Sequence, residues 1–386
     1  MKASASPLTP EVSLLIQTAA NGARSKPLDD CIEWPRLLYL AMHERAVSIV
    51  WQWLQRRDGK ELERDVARQW QRLSMISEFQ DLHRQRILVE ILDLMARHGI
   101  EVMLLKGSAL ASSVYAKFAD RPMGDLDVLV RPDRAIDVWS LLQQHGWSWP
   151  AASWPVEQYS AHQHLPPLVS TSGGDTTLEI HTALLPSGHP FDWPVETVWD
   201  EARLIAFAGR TTLVPAPLHQ LLHVCVHFVW SHEMRSGGWR MLRDVTALTC
   251  SPAIDWPAFV QLAQHSRAGT CCFWTLMLAR NLAGAAIPSE VLVALRPPRP
   301  AFLLKRLEGH FLRQLFSVEH TCPSVALCHG LWELATAPRW SGHGRARPWQ
   351  GSERWGETRV RSKRRFLQNA RHAIDAMRYV GRIASV

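Results

Sequence analysis

The sequence predicts an α/β (α+β) fold, a small mixed sheet flanked by N- and C-terminal helical regions. Three observations lead there. Apolar residues recur at spacings of three and four before residue 98 and again after residue 217. Between those stretches lie short apolar runs at 102–105 and 128–130, and an alternating run at 176–181. Glycine, proline and small polar residues bound these runs, as they bound strands.

Residues 1–10 are rich in Ser, Pro and Ala and read as a frayed start. From 11 to 98 the pattern is helical: Val12, Leu15 and Ile16, then 37–46 and 47–54. A further run carries Trp70, Leu73, Ile76, Ile87, Leu88, Ile91, Leu92 and Met95. Arg97-His98-Gly99 closes that helix with basic residues followed by glycine. Residues 100–105 then form the first strand. After a Lys106-Gly107-Ser108 turn and a short helical stretch comes Arg121-Pro122-Met123-Gly124, and Asp125-Leu126-Asp127 opens the second strand.

Residues 133–146 predict a helix whose buried face is Ile136, Trp139 and Leu142, with Val138 as a further candidate; Gly146 stops it. The Trp-, Pro- and His-rich stretch 147–167 is irregular and is placed near the mouth of a site. Segments 168–171 and 176–181 flank Ser172-Gly173-Gly174-Asp175 and read as a β-hairpin with a glycine turn. Thr177, Glu179 and His181 share one face of its second strand. Residues 218–230 form a helix with an apolar stripe of Leu218, Leu221, Leu222, Cys225 and Val229. Helices follow at 240–248, 256–265, 271–283 and 301–316, with a linker at 296–300, a loop at 338–357 and a basic terminal helix at 358–381. No internal repeat is present.

At 386 residues the chain exceeds the ~250–300 at which single cores stop growing. The expected division is 1–97, an N-terminal helical region; 98–215, the sheet-bearing core; 216–335, a helical domain; and 336–386, a basic loop and terminal helix. Seven scattered cysteines without a CxxC pair argue for reduced thiols rather than a disulfide framework. The start has no apolar h-region and no run approaches 18 apolar residues, so a cytoplasmic protein without a membrane partner is expected. The net charge of +7 is uneven: from residue 296 onward 17 Lys/Arg face 6 Asp/Glu, a net of +11, against −4 for the rest. Such asymmetry suits an anionic partner, but a solvated arginine-rich helical surface is the preferred reading.

Asp125 and Asp127 project from one strand face and repel one another unless a positive charge sits between them. A hard divalent cation with oxygen ligands, above all magnesium with a phosphate-bearing substrate, meets that need. Two solvated acids on an exposed edge are the plain alternative. Gly107 lets backbone approach a ligand, and the amides and hydroxyl at Ser108 suit phosphate oxygens. Lys106 is either a strand-end lysine or a contact to phosphate or carboxylate. Arg121 either bridges to Asp120 or Asp125 or offsets phosphate charge. His219, His223 and His227 fall on one helical face at zinc-ligand spacing. With no HExxH glutamate and no Cys pair, a polar face turned toward the cleft is the preferred reading. Of the 18 tryptophans, those in loops (Trp147, Trp149, Trp154, Trp193, Trp340, Trp349, Trp355) are candidates for stacking on a ligand, but more often such residues anchor packing.

These residues resemble the nucleotidyltransferase superfamily that includes DNA polymerase beta, marked by a Gly-Ser turn after the first strand and an Asp-x-Asp pair on the next. The closer resemblance is to the bacterial "uncharacterised nucleotidyltransferase" family, matched by Leu105-Lys106-Gly107, Arg121, Asp125-Leu126-Asp127 and Glu179-Ile180-His181. It continues into a histidine-bearing helix and into Arg240-Met-Leu-Arg-Asp244, and fades beyond about residue 250.

The resemblance implies Asp125, Asp127 and Glu179 as catalytic and metal-binding acids around Mg2+ (or Mn2+). It implies Lys106, Gly107, Ser108 and Arg121 as nucleotide- and phosphate-binding residues, with His181, His223, His227 and Asp244 as secondary candidates. The implied activity is transfer from an NTP, ATP among them, to a hydroxyl or phosphate of a small molecule or modified peptide; family members occur among genes for modified peptides and surface polysaccharides. Two alternatives stand beside it: an RNA nucleotidyltransferase using the basic C-terminal part, a less favoured partner, and a non-catalytic nucleotide-binding scaffold.

Overall fold

The computed structural model describes residues 8–20, 31–56, 62–149, 159, 161–171, 176–250, 254–316 and 325–336. The glycine turn at 172–175, the loop at 338–357 and the basic helix at 358–381 lie outside the described residues.

Four helices come first: α1 (Pro10–Ala19), α2 (Trp34–His43), α3 (Val47–Gln55) and α4 (Arg64–Arg97). α4 is a single helix of 34 residues. Its second half buries Ile87, Leu88, Ile91, Leu92 and Met95 as their spacing predicts, but Ile76 is 44% exposed. Gly99, at φ +62°, ends it in the left-handed conformation that glycine adopts without strain.

The sheet-bearing part runs β1 (Met103–Leu104), α5 (Lys106–Ser113), β2 (Asp125–Leu129), α6 (Ala135–Gln144), β3 (Trp147–Ser148), β4 (Leu168–Ser170) and β5 (Thr177–His181). It continues with α7 (Val195–Asp200), β6 (Arg203–Phe207) and β7 (Arg210–Val214). Strand order is β3-β4-β5-β2-β1-β7-β6. β2 and β5 run parallel, as do β1 and β7; the other pairs are antiparallel.

The first strand is shorter than the sequence predicts, because Ile100 N–H still bonds to Met95 O at the end of α4. In α6 the packed face is Ala135, Val138, Trp139 and Leu142, and Ile136 is 50% exposed. That helix begins at Ala135, so positions i, i+3, i+4 and i+7 from there meet the sheet and Ile136 falls one step away. The β6–β7 hairpin, absent from the sequence reading, turns on Ala208 and Gly209, both at positive φ as a two-residue hairpin loop requires.

The C-terminal helices are α8 (Pro217–Val226), α9 (Gly238–Cys250), α10 (Trp256–His265), α11 (Gly269–Leu278), α12 (Ser289–Leu295), α13 (Ala301–Leu315) and α14 (Val325–Thr336). α7, α12 and α14 are additions to the sequence-based set. α8 passes directly into a π-helical turn, His227–Ser231, closed by His232 N–H on His227 O at 3.1 Å. Cys328 is disulfide-bonded, a correction to the expectation of reduced thiols throughout. Scattered spacings do not reveal which cysteines a fold brings together. Cys225, Cys250, Cys271 and Cys272 are free thiols.

The sheet separates two apolar clusters. On one face Leu126 and Val128 of β2 and Leu178 and Ile180 of β5 pack with the second half of α4 and with α6. On the other, Met103, Leu105 and Leu129 join a cluster that extends through α1–α3 and α8–α14. Alternation along β2 and β5 therefore turns Asp125, Asp127, Glu179 and His181 toward the helices rather than toward solvent. No helix among the described residues is long and apolar enough to cross a membrane.

Candidate active site

β2 and β5 lie in register, with Asp125 opposite Thr177, Asp127 opposite Glu179 and Leu129 opposite His181. Neighbouring strands are about 4.8 Å apart, so this register sets the Asp127 and Glu179 carboxylates side by side. Asp127 is buried, and Asp125 and Glu179 are partly so.

Lys106 closes the group. Leu105 N–H still bonds to Asp127 O, so the chain must leave the sheet and enter α5 within one residue. Lys106 makes that turn at φ +44°, a conformation costing a residue with a side chain roughly 1–3 kcal/mol. The turn brings its Nζ 2.7 Å from Asp127 Oδ1 and 3.2 Å from Glu179 Oε2. The same two oxygens lie 2.9 and 3.3 Å from His181 Nε2. Burial works against the Lys106 charge, but Asp127 and Glu179 outweigh it and hold its pKa above the ordinary lysine value. Burial likewise opposes charge on Asp127, yet Lys106 and His181 keep that carboxyl below its usual range. Glu179 is held low in the same way. For Asp125 the balance goes the other way: burial, then repulsion from Asp127 and Glu179, outweighs attraction to Lys106 and Arg240 and pushes its pKa up.

Ser108 is wholly buried, and its hydroxyl accepts the Asp127 N–H at 3.1 Å. It fixes β2 against α5, with its hydroxyl committed to backbone. Gly107 borders a cavity of about 320 Å³ whose floor is Lys106, Asp125, Asp127 and Glu179, a volume suited to a small ligand. Gln163 and His164 close one side of it. They are held there by pairing with the end of β5, where His164 bridges to His181 and Thr182 N–H bonds to Gln163 O.

The opposite wall comes from α8 and the π-helical turn, through Gln220, His223, His227 and His232. Burial pushes the pKa of His223 down to about 3 and that of His232 to about 4, and His227 is also well below the ordinary value. The wall is therefore neutral at pH 7. The buried His223 Nε2 has no hydrogen-bond partner. His219 departs from this group: its Nδ1 accepts from Trp193 Nε1–H at 3.1 Å and its Nε2 lies 3.2 Å from Glu201.

Arg121 pairs with neither Asp120 nor Asp125. It forks onto Asp244, Nη2 to Oδ2 at 2.7 Å and Nε to Oδ1 at 3.1 Å, while Tyr115 OH donates to Asp244 Oδ1 at 2.7 Å. Asp244 thus orients an arginine at the cavity edge. Arg240, from the same helix α9, also borders the cavity. Gln163, His164, Gln220, His232 and Arg240 are the lining residues with polar side chains that sequence reasoning left without a role. Only two had a signal, His164 in the His-rich stretch and Arg240 in the segment ending at Asp244. Among the loop tryptophans, Trp147 and Trp193 are buried and Trp149 packs edge-on to Trp139 at 5.5 Å, so these serve packing. Trp154, Trp340, Trp349 and Trp355 lie outside the described residues.

Ligand atoms of Asp127, Glu179 and His181 come within 4.8 Å of one another. Two carboxylates and an imidazole fit a divalent cation, with Asp125 adjacent on the same strand face but outside that closest group. No curated protein and no solved structure matches the chain significantly. A model of the family described as uncharacterised nucleotidyltransferase matches residues 30–284, which takes in the acids, Lys106, the histidine wall and Asp244, and the chain belongs to that family.

Proposed function

We propose that the protein moves a nucleotidyl group from an NTP to a hydroxyl or phosphate of a small molecule or modified peptide, with Mg2+ or Mn2+ at Asp125, Asp127 and Glu179. One observation carries this reading. Asp127 and Glu179 stand opposite each other on parallel strands, facing one cavity, with positive charge already drawn between them.

Asp127 and Glu179 would hold the cation, with His181 offering a nitrogen beside them and Asp125 completing the acid face. When bound, the cation offsets phosphate charge and lowers the pKa of the attacking hydroxyl. Lys106 is long enough to leave the carboxylates for a phosphate oxygen beside Gly107. Arg121, held by Asp244, presents a fixed charge to the same phosphates, which suits a reaction driven by positioning and charge. His223, neutral and with Nε2 unpaired, meets a polar group of the bound ligand. The His164 and Gln163 segment on one side and α8 on the other exclude water.

Incubating the full chain with each labelled NTP, Mg2+ or Mn2+ and candidate acceptors, and measuring product mass, tests this directly. A mass gain equal to one nucleotidyl unit on an acceptor is expected. Phosphate release without any nucleotidylated product would overturn it.

A further inference from the structure

Two arginines, Arg121 and Arg240, line the cavity beside the acids, and an exposed third, Arg45, lies over Gly124, the residue before Asp125; each lies against a glycine. Arg45 comes from the turn between α2 and α3, Arg121 from the loop before β2, and Arg240 from α9. A Cβ on Gly107 would stand 2.9 Å from Arg121 Nη1, one on Gly124 would stand 2.6 Å from Arg45 Nη2, and one on Gly237 would stand 3.4 Å from Arg240 Nη2. The glycines let flat guanidinium groups settle on the backbone next to the cavity.

The charges do not balance. Asp244 is taken up by Arg121. Among the described residues, neither Arg45 nor Arg240 has a carboxylate within ion-pair distance or a side-chain hydrogen bond. For Arg240 burial opposes the charge, Arg121 and Arg45 add repulsion, and Glu44 and Asp125 only partly offset it. Leaving the partly buried Arg240 charge unpaired is costly, and an arginine face held open beside an acid site suits bidentate binding of phosphate oxygens.

We infer that Arg45, Arg121 and Arg240 form one anion subsite, which takes the terminal phosphates of a nucleoside triphosphate and, after transfer, the pyrophosphate. This rests on the nucleotidyl-transfer reading above and extends it with two residues that carry no other role. A solvated arginine cluster is the competing account, and it makes different demands on binding.

The test is calorimetric titration of the full chain with pyrophosphate and, separately, with ATP, each with Mg2+. Arg240→Ala is expected to weaken pyrophosphate at least about tenfold, the order of a lost charged hydrogen bond, with Arg240→Lys in between. Gly124→Ala meets only the movable end of Arg45, so it should leave the melting temperature unchanged while weakening pyrophosphate, which guards against a folding artefact. Pyrophosphate bound equally well by wild type, Arg240→Ala and Gly124→Ala would overturn the subsite. ATP binding that survives in that case would leave the nucleotide reading standing. Arginine-dependent pyrophosphate binding with no binding of any NTP would support the subsite and sink nucleotidyl transfer instead.

Discussion

The ammonium of Lys106 and the carboxylate of Asp127 meet at 2.7 Å, and the lysine reaches that position through a left-handed backbone turn. Strain and charge are thus invested in one contact, between the first residue of α5 and the middle of β2. The ammonium holds the oxygens that a divalent cation would use, so lysine and metal compete for them.

That competition predicts opposite effects from one substitution. Lys106→Met should bind Mn2+ alone more tightly than wild type, by about tenfold for one removed positive charge at close range. It should also bind ATP more weakly and transfer more slowly. Electron paramagnetic resonance of free Mn2+ during titration reads the first effect without any turnover. Weaker Mn2+ binding in Lys106→Met would show that the lysine supports the acids rather than competing for them.

Asp127→Asn and Glu179→Gln should keep the fold and each lose at least about a hundredfold in transfer rate, since each removes a charge at the reacting phosphate. Glu179→Gln should lower kcat more than it raises KM. Circular dichroism with steady-state kinetics checks both, and near-normal turnover in Asp127→Asn would remove these acids from the chemistry.

The buried fork between Arg121 and Asp244 predicts strong coupling. Asp244→Ala strands a guanidinium beside Arg240 and should cost about 3–5 kcal/mol of stability. Arg121→Met with Asp244→Ala should recover part of that loss, giving a coupling energy above about 1 kcal/mol in a double-mutant cycle. Additive losses in urea melts would mean that the pair does little for the fold.

Buried neutral histidines set an acid limit on stability. His223 at about 3, and His232 and His310 at about 4, are depressed by burial. The unfolded chain takes up these protons below about pH 6.5 and the folded chain does not. Their contribution is therefore complete above pH 6.5 and falls as pH drops toward about 4, by up to about 1.4 kcal/mol per pH unit for each. Urea melts between about pH 8 and about pH 5 should show this loss, and His310→Gln, remote from the cavity, should flatten it. A slope unchanged in that variant would contradict the assignment.

The sheet motif was legible because its signals are local. Alternation alone places Asp125 and Asp127 together and sets Glu179 with His181, and helical spacing puts His223 and His227 on one side of α8. What the sequence concealed depends on contacts between distant segments. Nothing near Ser108 says that its hydroxyl will turn inward to Asp127 N–H, and nothing near Arg45 says that it will lie on Gly124. Asp244 stood in the sequence only as a secondary candidate; that it holds Arg121 depends on how α9 meets the loop before β2. The β6–β7 hairpin escaped because its Ala-Gly turn lacks the Asn-Gly or Asp-Gly signature, and Ile136 because one residue of uncertainty in a helix start is a rotation of about 100°.

The π-helical turn at the end of α8 has a consequence that concerns length instead of side chains. A π-turn holds one residue more than an α-turn, and this one sets the rings of His227 and His232 edge to face with centroids 4.5 Å apart. Any side chain within it can be exchanged and the spacing kept. With the same five-residue spacing, an unbroken α-helix would carry His232 about 100° further around the axis, away from His227; the π-turn absorbs that extra step. The extra residue in this stretch of wall is therefore what lets two histidines five positions apart face the same cavity.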